Sequence, residues 1–126
     1  MAREKGRPLE RRRVLVVEDE YVVALELEGV LRDLGCEVLG PVASVAQALA
    51  LLGRERPDAA TLDLNLLDGL AVLVAERLAS MGVPFVLCTA YAAEHLAHPL
   101  LKGVPKLGKP LDGTALWRGL EGLLMA

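Results

Sequence analysis

From Arg13 onward, short apolar runs alternate with longer segments whose apolar residues recur at helical spacing. The first run, "VLVVED" over 14–19, is apolar without alternation, as a strand covered on both faces should be. A helix is predicted over 21–34, with Val23, Leu27, Val30, Leu31 and Leu34 on one side and Gly35 where a C-terminal cap belongs. "EVLGP" is the second strand, closed by Pro41. Ser44 and Gln47 form a capping box that opens a helix, "VAQALALLGRER", which Pro57 stops. "DAATLDLN" is the third strand, followed by a helix over about 69–81 that ends at Gly82. "VPFVLC" over 83–88 is the fourth strand, a Pro99-interrupted helix covers about 93–101, and "VPKLG" is a weaker fifth strand. Asp112 caps the last helix, which turns Leu116, Leu120, Leu123 and Leu124 toward the sheet.

Five strand–helix units in this order specify an α/β fold: a doubly wound parallel sheet with five helices. They occupy the 126 residues, so one domain over 13–126 is expected, preceded by a flexible basic arm over 1–12. Residues 1–13 carry six basic and two acidic groups, whereas the remainder carries eight basic and fifteen acidic ones. The acidic body makes direct nucleic-acid binding unfavourable. No apolar run is long enough for a membrane helix and no signal-peptide core follows the charged start, so the expected location is the cytoplasm. Cys36 and Cys88 are too few and too far apart for a disulfide scaffold or a zinc site, and read as small buried apolar residues.

Ligands of an open parallel sheet bind outside the carboxyl ends of its strands. There the first strand delivers Glu18 and Asp19, the third Asp63 and Asn65, the fourth Thr89, and the fifth Lys109 followed by Pro110. Three carboxylates in one crevice call for a hard divalent cation, and Mg2+ suits oxygen ligands while keeping room for phosphate oxygens. Glu18, Asp19 and Asp63 are the expected metal ligands. A carboxylate held there can act as a nucleophile toward phosphorus, and Asp63, in the middle of the group, is the expected acceptor. Lys109 and Thr89 supply charge and a hydroxyl to the phosphoryl group in transit.

"VVED", "LDLNL" around Asp63, "VLCTAY" around Thr89 and "GKP" at Lys109, in this order and spacing, resemble the receiver domains of two-component response regulators from about residue 13 to the C-terminus. The resemblance implies a flavodoxin-like sheet in the order 2-1-3-4-5. It also implies Mg2+ on Glu18, Asp19, Asp63 and the backbone carbonyl of Asn65. Asp63 would be phosphorylated by a sensor histidine kinase or a phosphotransfer protein, with Thr89 and Lys109 on the phosphoryl oxygens and a cis peptide before Pro110. In that strand order Cys36 and Cys88 lie three strand spacings apart, roughly 14 Å, too far for a disulfide. Because no output domain follows, the expected product is a stand-alone switch. It would act on a separate effector protein or on a second copy, through the fourth helix, fifth strand and fifth helix.

The chain departs from that family in two places. The aromatic residue usual three positions before the strand-five Lys is Lys106 here, which removes the common Thr–aromatic switch. A subset of stand-alone receivers linked to stress signalling lacks the same aromatic and carries a "T-G-x-Y"-like segment. "TAY" is similar to it, so Tyr91 is expected to take part of the readout. After Asp63, the positions usual for Pro and Gly hold Leu67 and Ala71, and Leu66 with Leu67 are expected to form an apolar lip.

Two other readings compete with the switch. One is a docking pseudo-receiver that never uses phosphate. The other is an aspartyl-nucleophile phosphohydrolase, which would need a second acid where Asn65 stands. Glu94, His95 and His98 lack a third strong ligand for a second metal and read as solvated or capping groups. Trp117 is expected to pack in the core, Glu20 to face solvent, and Leu96, Leu100 and Leu101 to divide between core and output face.

Overall fold

A computed structural model describes residues 10–66, 69–89, 99–101, 103–109 and 112–125. Its five-stranded parallel sheet runs β2-β1-β3-β6-β7, built from β1 (Arg13–Val17), β2 (Glu37–Val42), β3 (Ala59–Leu62), β6 (Phe85–Thr89) and β7 (Lys106–Gly108). In sequence order of the sheet strands this is 2-1-3-4-5, as expected. A two-stranded antiparallel ladder, β4 (Asn65–Leu66) with β5 (Gly69–Leu70), is inserted after β3. Four α-helices lie among the described residues: α1 (Tyr21–Asp33), α2 (Val45–Leu52), α3 (Val72–Ser80) and α4 (Gly113–Met125). The helix expected over 93–101 falls mostly outside the described residues, and its last three, Pro99–Leu101, form a 3-10 turn. Among the described residues no helix is long and apolar enough to cross a membrane.

The central strands are apolar throughout because each face of the sheet has its own core. Leu15 and Val17 with Ala60, Leu62 and Leu87 point to the side covered by α2 and α3, where Val45, Ala48, Val74, Ala75 and Leu78 meet them. Val14 and Val16 with Ala59, Val86 and Cys88 point to the other side, against Leu27 and Leu31 of α1 and Leu116 and Leu120 of α4. Burying a leucine in such a layer contributes roughly 1.5–3 kcal/mol. β1, with Val14, Leu15 and Val16 at 0% exposure, is thus a stiff base for whatever follows Val17.

Local signals set most of the boundaries. Gly35 has φ +90 and stands just past the α1 cap, where the Cys36 N–H donates to the Leu31 carbonyl at 2.9 Å, a Schellman closure. The Ser44 hydroxyl accepts from the Gln47 N–H at 3.1 Å, while Gln47 reaches back to the Ala43 N–H at 3.0 Å. Asp112 accepts from the Thr114 N–H at 3.0 Å at the start of α4.

Two expected helix boundaries are corrected. α2 ends at Leu52 rather than running to Arg56, because Gly53 turns the chain and Arg54 and Glu55 close onto Leu51. α3 begins at Val72 rather than about 69, because Gly69 and Leu70 are held in the β4–β5 ladder. Both cysteines are buried and neither is in a disulfide. Burial pushes the Cys36 thiol up to about 11 and the Cys88 thiol to about 12.

Candidate functional site

The acids following β1 and β3 are placed by backbone bonds that continue each ladder past its last strand residue. The Glu18 N–H donates to the Val42 carbonyl and the Asp63 N–H to the Val17 carbonyl, both at 2.9 Å. Glu18 and Asp63 are consequently buried, each 2% exposed, although both are carboxylates. β2 accommodates this with an irregular register opposite Leu15 and Val17. A side chain at Gly40, which has φ +88, would press within 2.8 Å of the Val42 nitrogen.

Lys109, one residue past β7, reaches over this edge. Its Nζ donates to Asp63 Oδ2 and Glu18 Oε2 at 3.0 Å and to Glu20 Oε1 at 2.8 Å, and its side chain is only 10% exposed. Burial alone would lower the Lys109 pKa, but the hydrogen bonds to Glu20, Asp63 and Glu18 outweigh it and raise it. The ammonium is therefore firmly charged. Glu18 is pushed up to about 7, first by burial and then by sharing a hydrogen bond with Asp63, against the opposing pull of Lys109. Asp19 is raised for the same two reasons.

Glu18, Asp19, Glu20 and Asp63 each place one carboxylate oxygen within 4.8 Å of the others. Four carboxylates face one ammonium, so charge is left uncompensated there. Two buried carboxylate oxygens, Glu18 Oε1 and Asp19 Oδ1, have no hydrogen-bond partner among the described residues. Buried anionic oxygens without partners are costly, and an all-oxygen donor set of this kind suits a hard divalent cation. The residues present thus fit Mg2+.

Of the sequence-predicted site residues, Glu18, Asp19, Asp63 and Lys109 come together. Thr89 ends β6 and pairs with Gly108, next to Lys109, so its backbone lies at the same sheet edge. Asn65 enters the β4–β5 ladder opposite Leu70, two residues past Asp63. Tyr91, Glu94, His95, Leu96, His98, Leu67 and Pro110 lie outside the described residues.

Other expectations change. Glu20 does keep an exposed side chain, at 58%, but it is no bystander, since its carboxylate holds Lys109. Leu66 is 5% exposed and belongs to the core, so it forms no apolar lip. Leu101 is likewise core, at 4%. Trp117 is half-buried against the second core cluster. Lys106 points its Nζ at the carbonyls of Val104 (2.8 Å) and Leu101 (3.1 Å), pinning the turn before β7 where an aromatic side chain was absent.

One feature beside the site had no sequence signal. The first turns of α1 expose Tyr21 (75%), Val22 (67%) and Leu25 (47%). A cleft of about 310 Å³ runs from Glu18 and Asp19 between Tyr21, Leu25 and Pro41. Helical periodicity assigns apolar residues to the core, so an apolar residue on the outer face is legible only once the inner face is known.

A family model for the response regulator receiver domain matches residues 14–116. A protein-glutamate methylesterase/protein-glutamine glutaminase of Anaeromyxobacter dehalogenans is 36% identical over 110 residues, spanning 81% of this chain and 30% of its own length. PhyR of Methylorubrum extorquens is 31% identical over 86 residues, 66% of this chain and 32% of its own. The chain spans less than half the length of these curated relatives. Among solved structures, the REC domain of Erythrobacter litoralis PhyR matches with a TM-score of 0.81 at 26% identity, covering 93% of this chain and 92% of that one. The receiver domain of the sensor histidine kinase PA1611 from Pseudomonas aeruginosa, with a magnesium ion coordinated in its active-site cleft, matches with a TM-score of 0.81. It is 28% identical, covering 92% and 99%.

Proposed function

This chain belongs to the response regulator receiver family, and we propose that it is a phosphorylation switch whose acceptor is Asp63. The observation that carries this reading is the Lys109 ammonium, held 3.0 Å from both Asp63 and Glu18 in a buried crevice. Glu18, Asp19, Asp63 and the Asn65 backbone carbonyl would hold Mg2+. When bound, the ion supplies positive charge against the phosphoryl oxygens and offsets the mutual repulsion of the acids.

The chain's own residues then divide the work. One Asp63 carboxylate oxygen attacks phosphorus in line as the bond to the donor's imidazole nitrogen breaks, and that electron pair returns to the ring. The product is an acyl phosphate, which water later hydrolyses. Lys109 is preorganised beside the attacking oxygen, so neutralising a phosphoryl oxygen requires a short movement away from the carboxylates. Thr89, at the end of β6, is the hydroxyl expected to follow the phosphoryl group. Phosphorylation adds about −1.5 to −2 charges at Asp63. The resulting shift of Lys109 and Thr89 is read by a separate effector protein, with Lys106 and Tyr91 standing in for the usual aromatic switch.

Phosphoryl donors are a sensor histidine kinase or a phosphotransfer protein, and the exposed Tyr21, Val22 and Leu25 form the apolar face beside the acids on which such a donor would dock. Asn65, which cannot protonate a leaving group, argues against a general phosphohydrolase. Incubation with acetyl phosphate and Mg2+ should raise the intact mass by one phosphoryl group in the native protein and not in Asp63→Asn, with no turnover of p-nitrophenyl phosphate. An unmodified native protein would leave the docking pseudo-receiver as the better description.

A further inference from the structure

A second groove lies away from the acids, between the C-terminal half of α1 and the start of α4. It is about 460 Å³, with Val30, Leu34 and Trp117 as an apolar floor and Asp33 and Thr114 at its rim. It continues along α1 past Glu26. Asp33 and Glu26 are both exposed. The groove is thus apolar below and acidic at the edge, the complement of a segment with basic side chains and an apolar anchor.

Such a segment starts at the groove's mouth. The described chain begins at Glu10, whose carboxylate packs over Gly35, and the Arg11 N–H donates to the Gly35 carbonyl at 2.8 Å. Gly35 directly follows Leu34, which lines the groove. Residues 1–9, outside the described part, read "MAREKGRPL": three basic side chains, one acidic, and Pro8-Leu9 nearest the anchor point. Nine residues span up to roughly 30 Å, whereas Glu26 to Leu34 along α1 is roughly 12 Å, so the segment is long enough to cover the groove.

We propose that residues 1–9 of this chain occupy the α1–α4 groove, with Leu9 over Leu34 and Trp117 and with Arg7, Lys5 and Arg3 facing Asp33 and Glu26. The face is then an internal docking surface, apolar with an acidic rim and separate from the acid crevice. Tethering makes the contact effective even where each exposed ion pair contributes little. Nothing in it depends on phosphorylation.

Trp117 is the only tryptophan in the chain and lines the groove, so its fluorescence reads occupancy directly. In the full chain, reversing Arg3→Glu, Lys5→Glu and Arg7→Glu together should raise acrylamide quenching of Trp117 about twofold, as should about 1 M salt. Adding Glu26→Lys and Asp33→Lys to that triple variant should restore the protection. Unchanged quenching in the triple variant, or no rescue by the reciprocal swap, would overturn the assignment. Protection that rises with protein concentration would place a second copy in the groove instead and equally defeat it.

Discussion

At the amino end of β1, Arg13 meets Glu37 at 3.5 Å and pairs with Glu55, while its backbone N–H donates to Asp58 at 2.8 Å and Arg12 lies 3.9 Å from Asp58. At the carboxyl end of the same strand, Lys109 meets Glu18, Glu20 and Asp63, with Asp19 alongside. The first cluster sets two guanidinium groups against three carboxylates whose side chains are 36–62% exposed. The second sets one ammonium against four carboxylates, with Glu18 and Asp63 at 0% and 2%. Exposed pairs are screened and contribute little, whereas buried, unequal charge is costly unless something else is bound. The two ends of one strand thus separate a structural ion cluster from a site that the protein leaves electrostatically incomplete.

The strongest way to break this contrast is to remove the acids' partner. Lys109→Met should destabilise the protein by roughly 1–3 kcal/mol in chelator, because it takes away charged hydrogen bonds from buried carboxylates, and Mg2+ should recover much of the loss. Thermal or urea unfolding with and without Mg2+ measures both. A variant as stable as the native protein in chelator would mean that the carboxylates do not need the ammonium.

Next in size is the response to metal itself. At tenfold above its dissociation constant, Mg2+ should stabilise the native protein by about 1.4 kcal/mol. Glu18→Gln or Asp19→Asn should abolish the increment. Arg13→Met, at the other end of β1, should leave it intact, and loss of the increment in that variant would erase the distinction between the two ends.

A different substitution separates docking from chemistry. Leu25→Asp, on the exposed α1 face, should slow phosphoryl transfer from a phosphohistidine protein by about tenfold while leaving acetyl phosphate uptake unchanged, since docking residues act on the encounter rather than on the in-line step. Equal rates with both donors would remove this face from the donor's footprint.

The smallest effect concerns the thiols. Burial is the main cause for both, with a smaller push from Glu10 at Cys36 and from Glu18 and Asp63, opposed by Lys109, at Cys88, and it takes Cys88 to about 12 against about 11 for Cys36. The thiolate that reacts is favoured only as pH rises toward those values, so neither should react with a thiol reagent at pH 8 until the chain unfolds. Cys88 should remain the slower of the two as pH is raised.

Much of this architecture could be read from the chain because its signals are local. The continuous apolar runs of β1, β3 and β6 identify strands covered on both faces, and Ser44, Gln47, Asp112 and Gly35 act at the helix ends they were assigned. The delivery of Glu18, Asp19, Asp63 and Lys109 to one edge follows from parallel topology alone. What escaped depends on contacts between distant segments. Glu20 looked like a solvated turn residue because its partner, Lys109, is 89 positions away. Leu66 looked like a lip because nothing in sequence says that the β4–β5 ladder folds it into the core. Lys106 registered as a missing aromatic, although its own ammonium binds the carbonyls of Leu101 and Val104.

One buried carboxylate among four, Asp63, is the proposed phosphoryl acceptor. Borohydride reduction of protein treated with acetyl phosphate and Mg2+, followed by peptide mass mapping, locates the acyl phosphate at a single side chain. The expected modification is at residue 63 and is absent when Mg2+ is chelated. Modification at Glu18, Asp19 or Glu20, or an equal yield without Mg2+, would contradict it.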